Sequence, residues 1–223
     1  YTAELASRGL AAPLIGADEM QGVLALGYLE GTLAEGTPAE TNPDVHEQAG
    51  RILRVLHSGG TRRDSPAAQL AVERSFRWLS GRHRIDPEQQ HAAERILTAH
   101  PPGLVTAAPC HGDWQPRNWL VDDRGTVQVI DFGRFDWRPP ETDFARLAAQ
   151  QWRTQPELET AFFRGYGHDP RDDNPLRWRL TTLHEAIATA AWAYQVGAEE
   201  FEMQGHRMLK EALENFGRVD RSI

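Results

Sequence analysis

Cysteine is nearly absent: Cys110 is the only one in 223 residues. That excludes an intramolecular disulfide and fits a reducing compartment such as the cytoplasm. Lysine is as scarce, for Lys and Arg together number 24 and Lys210 is the only lysine. No G-x-x-x-x-G-K-[ST] run occurs, which excludes a P-loop, and there is no G-x-G-x-x-G loop. No apolar run is long enough to span a membrane. Positive charge is in deficit too: the formal net charge of -8 argues against a nucleic-acid scaffold and slightly favours cationic ligands. No internal repeat or low-complexity segment stands out. Hydrophobic residues make up 40%, enough for a core in one domain or a lobed pair.

The chemistry is concentrated in residues 109–133, PCHGDWQPRNWLVDDRGTVQVIDFG. His111-Gly112-Asp113 is followed after four residues by Asn118, and later by Asp131-Phe132-Gly133. Two β-like runs, 119–121 and 127–130, flank the polar turn 122–125 and read as a hairpin. A hairpin with polar clusters at its open end brings Asp113, Asn118 and Asp131 towards one point. Phosphoryl transfer to an alcohol needs a group that accepts the hydroxyl proton, and Mg²⁺ to neutralise phosphate oxygens. Mg²⁺ takes oxygen ligands and keeps much of its water, so one carboxylate and one amide oxygen suffice. Asp113 fits the first role, and Asn118 and Asp131 fit the second. His111 belongs to the same catalytic loop, bracing it through hydrogen bonds. Any one of these residues taken alone is more often a turn cap. Their joint spacing, H-x-D-x-x-x-x-N and then D-F-G, is specific.

This segment resembles the catalytic core of the aminoglycoside phosphotransferase family, a kinase-like fold that includes choline, homoserine and macrolide kinases. Gly112, where protein kinases carry Arg, is similar to the small-molecule branch. The resemblance implies that Asp113 is the base, that Asn118 and Asp131 hold Mg²⁺, and that ATP or GTP is the phosphate donor. The acceptor it implies is a small-molecule hydroxyl, aminoglycoside-like or an amino-alcohol, and antibiotic resistance is one setting for such an enzyme. The expected partners include neither nucleic acid nor membrane.

The fold class expected is α+β and mostly helical: a kinase-like C-terminal lobe around the catalytic hairpin, with a remnant of the N-terminal lobe. Residues 1–30 are assigned to that remnant and residues 31–223 to the catalytic and substrate-binding lobe. The sequence opens on Tyr1 rather than Met, and most of the N-terminal lobe is expected to lie outside it. Residues 1–8 read as a helix tail, and 13–15 and 22–29 as strands around a turn at 16–19. In the resembling family such strands run into a hinge, so backbone groups of Gly27, Tyr28 and Leu29 are expected to bind adenine. Residues 31–43 read as a linker.

Helices are predicted over 44–57, 66–80, from 86 onward, and over 141–152, 156–166, 175–196 and 199–216, with Gly197 and Gly217 as terminators. Val45, Ala49, Ile52, Leu53 and Leu56 form one apolar face, and Leu70, Phe76 and Leu79 another. His46 and His57 lie eleven apart, which is not a zinc spacing. Residues 134–140 read as a short loop, and Asp143 resembles a family carboxylate that braces the catalytic loop. His184, Glu185, Trp192 and Tyr194 are candidates to line a substrate pocket. For a cationic acceptor, the carboxylates Glu141, Asp143, Glu199, Glu200 and Glu202 and the rings of Trp152 and Trp178 join them. Two rival classes stand beside the kinase: a non-catalytic pseudokinase-like binding module or inactive fragment, and a metal-dependent phosphohydrolase using Asp113 and Asp131.

Overall fold

The computed structural model describes residues 2–219; Tyr1, where the sequence reading begins its first helix, lies outside them. Two compact units emerge, one of residues 2–62 with 108–169 and one of residues 63–107 with 170–219.

In the first unit, α1 (Thr2–Ser7) precedes the antiparallel pair β1 (Leu14–Asp18) and β2 (Val23–Leu26). The first strand outruns its predicted end, and the turn shifts past Asp18, whose Oδ1 accepts the Gln21 N–H at 3.0 Å. These two strands form a sheet of their own, with Leu14, Ile15, Val23, Leu24 and Leu26 exposed. The predicted linker is not featureless. Within it β3 (Thr32–Leu33) forms, and Pro38–Thr41 winds a 3₁₀ turn capped by Thr37. Its backbone donors and acceptors find ladder partners that a sequence pattern of two residues cannot announce.

Helix α2 (Pro43–His57) starts where Asn42 accepts the Asp44 N–H and Pro43 fills a first-turn position that needs no donor. All five residues of its predicted apolar face are buried. After β4 (Arg62–Ser65), which stands at the sequence junction of the units, come α3 (Ala67–Leu79) and α4 (Pro87–Ala99). β5 (Val105–Cys110) then leads to the segment that carries Asp113 and Asn118. There β6 (Trp119–Val121) and β7 (Val127–Val129) pair as the predicted hairpin, Trp119 opposite Val129. Asp122 Oδ1 closes its turn by accepting the Arg124 and Thr126 N–H groups. β3 adds to the other edge of β6, in the order β3-β6-β7.

The predicted loop after Gly133 contains β8 (Asp136–Arg138), antiparallel to the end of β5. The predicted helix 141–152 is in pieces: a 3₁₀ turn at Pro140–Phe144, α5 (Ala145–Ala149) and α6 (Gln151–Thr154). Gln150, at φ -117° and ψ -97°, interrupts it. α7 (Pro156–Tyr166) completes the unit, packed closely on α2. A Cβ at Gly165 would run into the Glu47 carbonyl oxygen, and one at Gly50 into that of Phe162. Phe144 fills the space beside this crossing, against Trp152, Phe162, Phe163 and Tyr166.

The second unit rests on α8 (Pro175–Val196) and α9 (Glu199–Val219). Gly197 ends α8 in the left-handed conformation as predicted, but Gly217 does not stop α9, which runs through it. The face of α3 also differs from its pattern: Ser75 and Leu79 are buried, while Leu70 and Phe76 are 50% and 38% exposed. Ser75 is drawn inward by a 2.7 Å hydrogen bond between its Oγ and His184 Nδ1.

Candidate active site

The segment between β5 and β6 is a loop held from one side by a buried carboxylate. Asp143 Oδ1 accepts the Gly112 N–H at 2.7 Å, and Oδ2 accepts the His111 N–H at 2.8 Å. His57, the last residue of α2, places Nε2 3.1 Å from the same Oδ2, and its Nδ1 lies 2.8 Å from the Tyr166 hydroxyl. Burial works to raise the Asp143 carboxyl, but the hydrogen bond and electrostatic attraction of His57, with the Gly112 N–H, outweigh it and hold it below its usual value. Gly112 sits at φ +81°, with the Arg134 carbonyl oxygen where a Cβ would be. Only glycine fits both conditions.

His111 is fully buried. Its Nδ1 accepts the Asp113 N–H at 3.2 Å, which leaves Nε2 to donate to Ile130 O at 2.9 Å. Both ring nitrogens are engaged with the backbone, and the ring packs against Phe132 and Trp114. This arrangement ties the Asp113 loop to the strand end before Asp131.

Asp113 and Asn118 are in direct contact across the 3₁₀ turn Pro116–Asn118. Asn118 Nδ2 donates to Asp113 O at 2.7 Å and to Asp113 Oδ2 at 3.2 Å. Its nitrogen is thus committed to the loop, and its carbonyl oxygen is the atom suited to a cation. Two further donors reach Asp113, Gln115 Nε2 on Oδ1 and Arg117 Nη2 on Oδ2, each at 2.6 Å, and the Arg146 guanidinium forms an ion pair with Oδ1 at 3.0 Å. Burial pushes the Asp113 carboxyl up, but the Arg117 hydrogen bond and the Arg146, Arg117 and Arg134 charges bring it below its usual value. The carboxylate stays ionised and is fixed in direction.

Asp131 joins this pair through the backbone, Ile130 N–H donating to Asn118 O at 3.1 Å. Among the described residues it is the one non-glycine at positive φ, +61°, and its Oδ1 accepts the Gly133 N–H at 3.3 Å. The left-handed conformation costs a non-glycine residue about 1–2 kcal/mol and turns this exposed carboxylate away from the strand direction. Hard oxygen donors, one amide and one carboxylate, match Mg²⁺ rather than a softer metal. A second cluster, His57, Cys110 and Asp143, has ligand atoms within 4.8 Å of one another. It is consumed by hydrogen bonding: Cys110 Sγ points at the Arg138 and Pro139 carbonyls, and burial drives its thiol well above the usual range.

Arg117 and Arg146 were missed by the sequence reading. Arg117 stands four residues after Asp113 and could have been flagged by that interval; Arg146, 33 residues away, carries no local signal. The hinge candidates follow β2. Gly27 N–H is already donated to Pro13 O at 2.8 Å, and the Tyr28 side chain is 87% exposed. Several acceptor candidates have other employment. Glu202 is gripped at both oxygens by Arg84, Asp143 holds the loop, Trp152 is buried, and His184 is bonded to Ser75. Trp192 remains 43% exposed.

An H-G-D-x-x-x-x-N loop leading into a hairpin, followed by D-F-G and set among helices, defines a kinase-like protein. The chain belongs to the phosphotransferase enzyme family (APH), whose family model matches residues 2–180, so the resemblance read from the catalytic segment stands. Among solved structures, choline kinase from Streptococcus pneumoniae is similar at 19% identity and TM-score 0.69, over 96% of this chain and 79% of that one. Plasmodium vivax ethanolamine kinase gives 15% identity and TM-score 0.60, over 94% and 69%. A GDP complex of aminoglycoside 2'-phosphotransferase-IIIa gives 14% and 0.63, over 92% and 76%. At these identities the likeness is one of fold. No curated protein matches the chain in sequence. Among the described residues, no helix is long and apolar enough to cross a membrane.

Proposed function

We propose that the protein transfers the γ-phosphate of ATP or GTP to a hydroxyl of a small molecule. The observation that carries this reading is the lock between Asp113 and Asn118. One turn presents an ionised, aimed carboxylate and, beside it, an amide whose nitrogen is spent and whose oxygen suits a cation. Asp113 accepts the hydrogen bond of the acceptor hydroxyl and then its proton, directing the oxygen at phosphorus. Asn118 and Asp131 would hold Mg²⁺, which supplies neutralisation of the phosphate oxygens when bound. His111 and Asp143 keep the loop in register and take no proton from substrate. Backbone groups of Gly27, Tyr28 and Leu29 bind the adenine or guanine edge, Gly27 through its carbonyl since its N–H is donated to Pro13 O.

The acceptor class we propose is a hydroxyl-bearing organic ammonium cation. Choline, ethanolamine and aminoglycosides, named for the similar kinases, share that chemistry, and the net charge of -8 agrees with it. Asp113→Asn should abolish transfer while leaving Mg-nucleotide affinity within about a few-fold, because the carboxylate acts on the acceptor. Asp131→Asn should instead weaken nucleotide binding in a Mg²⁺-dependent manner. Undiminished turnover in both variants would refute the assignment, and phosphate release without any alcohol would favour a phosphohydrolase. With a panel of aminoglycosides, choline, ethanolamine and neutral alcohols, KM for a cationic acceptor should rise with salt as its charge contacts are screened.

A further inference from the structure

Asp113 is enclosed. Gln115, Arg117 and Asn118 donate hydrogen bonds to its carboxylate oxygens, and the Arg146 guanidinium stands 3.0 Å from Oδ1 as an ion pair. With the carboxylate only 3% exposed, an acceptor hydroxyl reaches it once one of these partners leaves. Gln115 and Asn118 are buried, at 3% and 4% exposure, and Asn118 is also tied to the Asp113 carbonyl. Of the two guanidinium groups, that of Arg146 is the more enclosed, its side chain 21% exposed against 40% for Arg117. Arg117 is therefore the partner that can depart by side-chain rotation alone.

A guanidinium taken from a carboxylate needs another anion, and its planar fork matches phosphate oxygens. The reacting phosphorus stands roughly 3–3.5 Å from the attacking oxygen in a near-attack geometry, and that oxygen must itself lie within hydrogen-bond reach of Asp113. A guanidinium nitrogen now 2.6 Å from Asp113 Oδ2 thus has only a short distance to travel. We propose that Arg117 is a displaceable cap on Asp113 that moves to the γ-phosphate when the nucleoside triphosphate binds, uncapping the carboxylate for the acceptor hydroxyl. Arg117 stays protonated throughout. The hydroxyl proton goes to Asp113 as the new P–O bond forms and the bond to the nucleotide's leaving oxygen breaks. The proposal rests on the function proposed above and adds an order of events: triphosphate first, acceptor second.

The test measures MgATP and MgADP dissociation constants and kcat on the full-length protein for Arg117→Ala, Arg117→Lys and Asp113→Asn. Loss of a charge-assisted contact to the γ-phosphate should weaken MgATP about tenfold in Arg117→Ala and leave MgADP within about twofold. Its kcat should fall on the order of a hundredfold. Arg117→Lys, which keeps the charge without the fork, should restore part of the ATP-over-ADP preference and provides the reading if the alanine variant folds poorly. Asp113→Asn should bind MgATP at least as tightly as the unaltered protein, because Arg117 loses its competing carboxylate. Equal weakening of ATP and ADP by Arg117→Ala, or none, overturns the cap while an inactive Asp113→Asn leaves the proposed function standing. An active Asp113→Asn overturns both.

Discussion

His57 and Asp143, 86 residues apart in sequence, meet at 3.1 Å between Nε2 and Oδ2 beneath the loop that carries Asp113. Through this contact the end of α2 fixes a carboxylate that in turn fixes two consecutive backbone N–H groups. Asp143→Asn keeps the shape but puts an amide donor against one of those N–H groups or His57. A buried donor facing a donor should destabilise the protein by about 3 kcal/mol. Urea unfolding would register this as a lower midpoint at unchanged slope.

Gly112→Ala tests the loop from the other side. The added Cβ meets the Arg134 carbonyl and the φ of +81° becomes strained, so the loop must shift away from Asp143. Stability should drop by about 2 kcal/mol or more, and phosphate transfer should fall more steeply than nucleotide binding. Parallel calorimetry and turnover measurements separate the two effects; an alanine variant with unaltered turnover would contradict the geometry.

Gly165 makes a prediction remote from the chemistry. A methyl group there runs into Glu47 O at the α2–α7 crossing, so Gly165→Ala must force these helices apart. A loss of several kcal/mol is expected by the general cost of overpacking, about 1–3 kcal/mol or occasionally more. The thermal midpoint reports it, and Gly103→Ala, a control in open space and not at positive φ, should cost less.

His184 governs a pH dependence in the second unit. Burial lowers its pKa from 6.5 to about 4, so the folded state holds it neutral. Below 6.5 the unfolded chain takes up a proton that the folded chain refuses. Its contribution is therefore complete above pH 6.5 and is lost as pH falls towards 4, by at most about 3 kcal/mol. Unfolding free energies for the protein and His184→Gln, taken at intervals from pH 7 to 4, should diverge in slope by up to one proton. Parallel slopes would mean that the ring is solvated.

The order of helices, the hairpin after Asn118 and the meeting of Asp113 with Asn118 were legible in the sequence because each depends on near neighbours. The apolar face of α2 follows from a 3.6-residue period, its start from Asn42-Pro43, and the hairpin from valine-rich runs around Asp122–Gly125. Gly112 could be read as a marker, although its reason, a close approach by Arg134, could not. What local pattern misled was the short strand β3, the strand β8, the broken helix after Pro140 and the exposed Leu70. Each is decided by a partner distant in sequence, or by burial that a neighbouring element imposes, and no propensity within a few residues contains that information. The same limit applies at the site. The residue types that do phosphoryl chemistry are spaced within one turn and a hairpin, so sequence alone proposes them. The ion pair of Arg146 with Asp113, and the support that reaches the loop from His57 through Asp143, exist only because the folded chain brings residues distant in sequence into contact, where burial lets them act strongly.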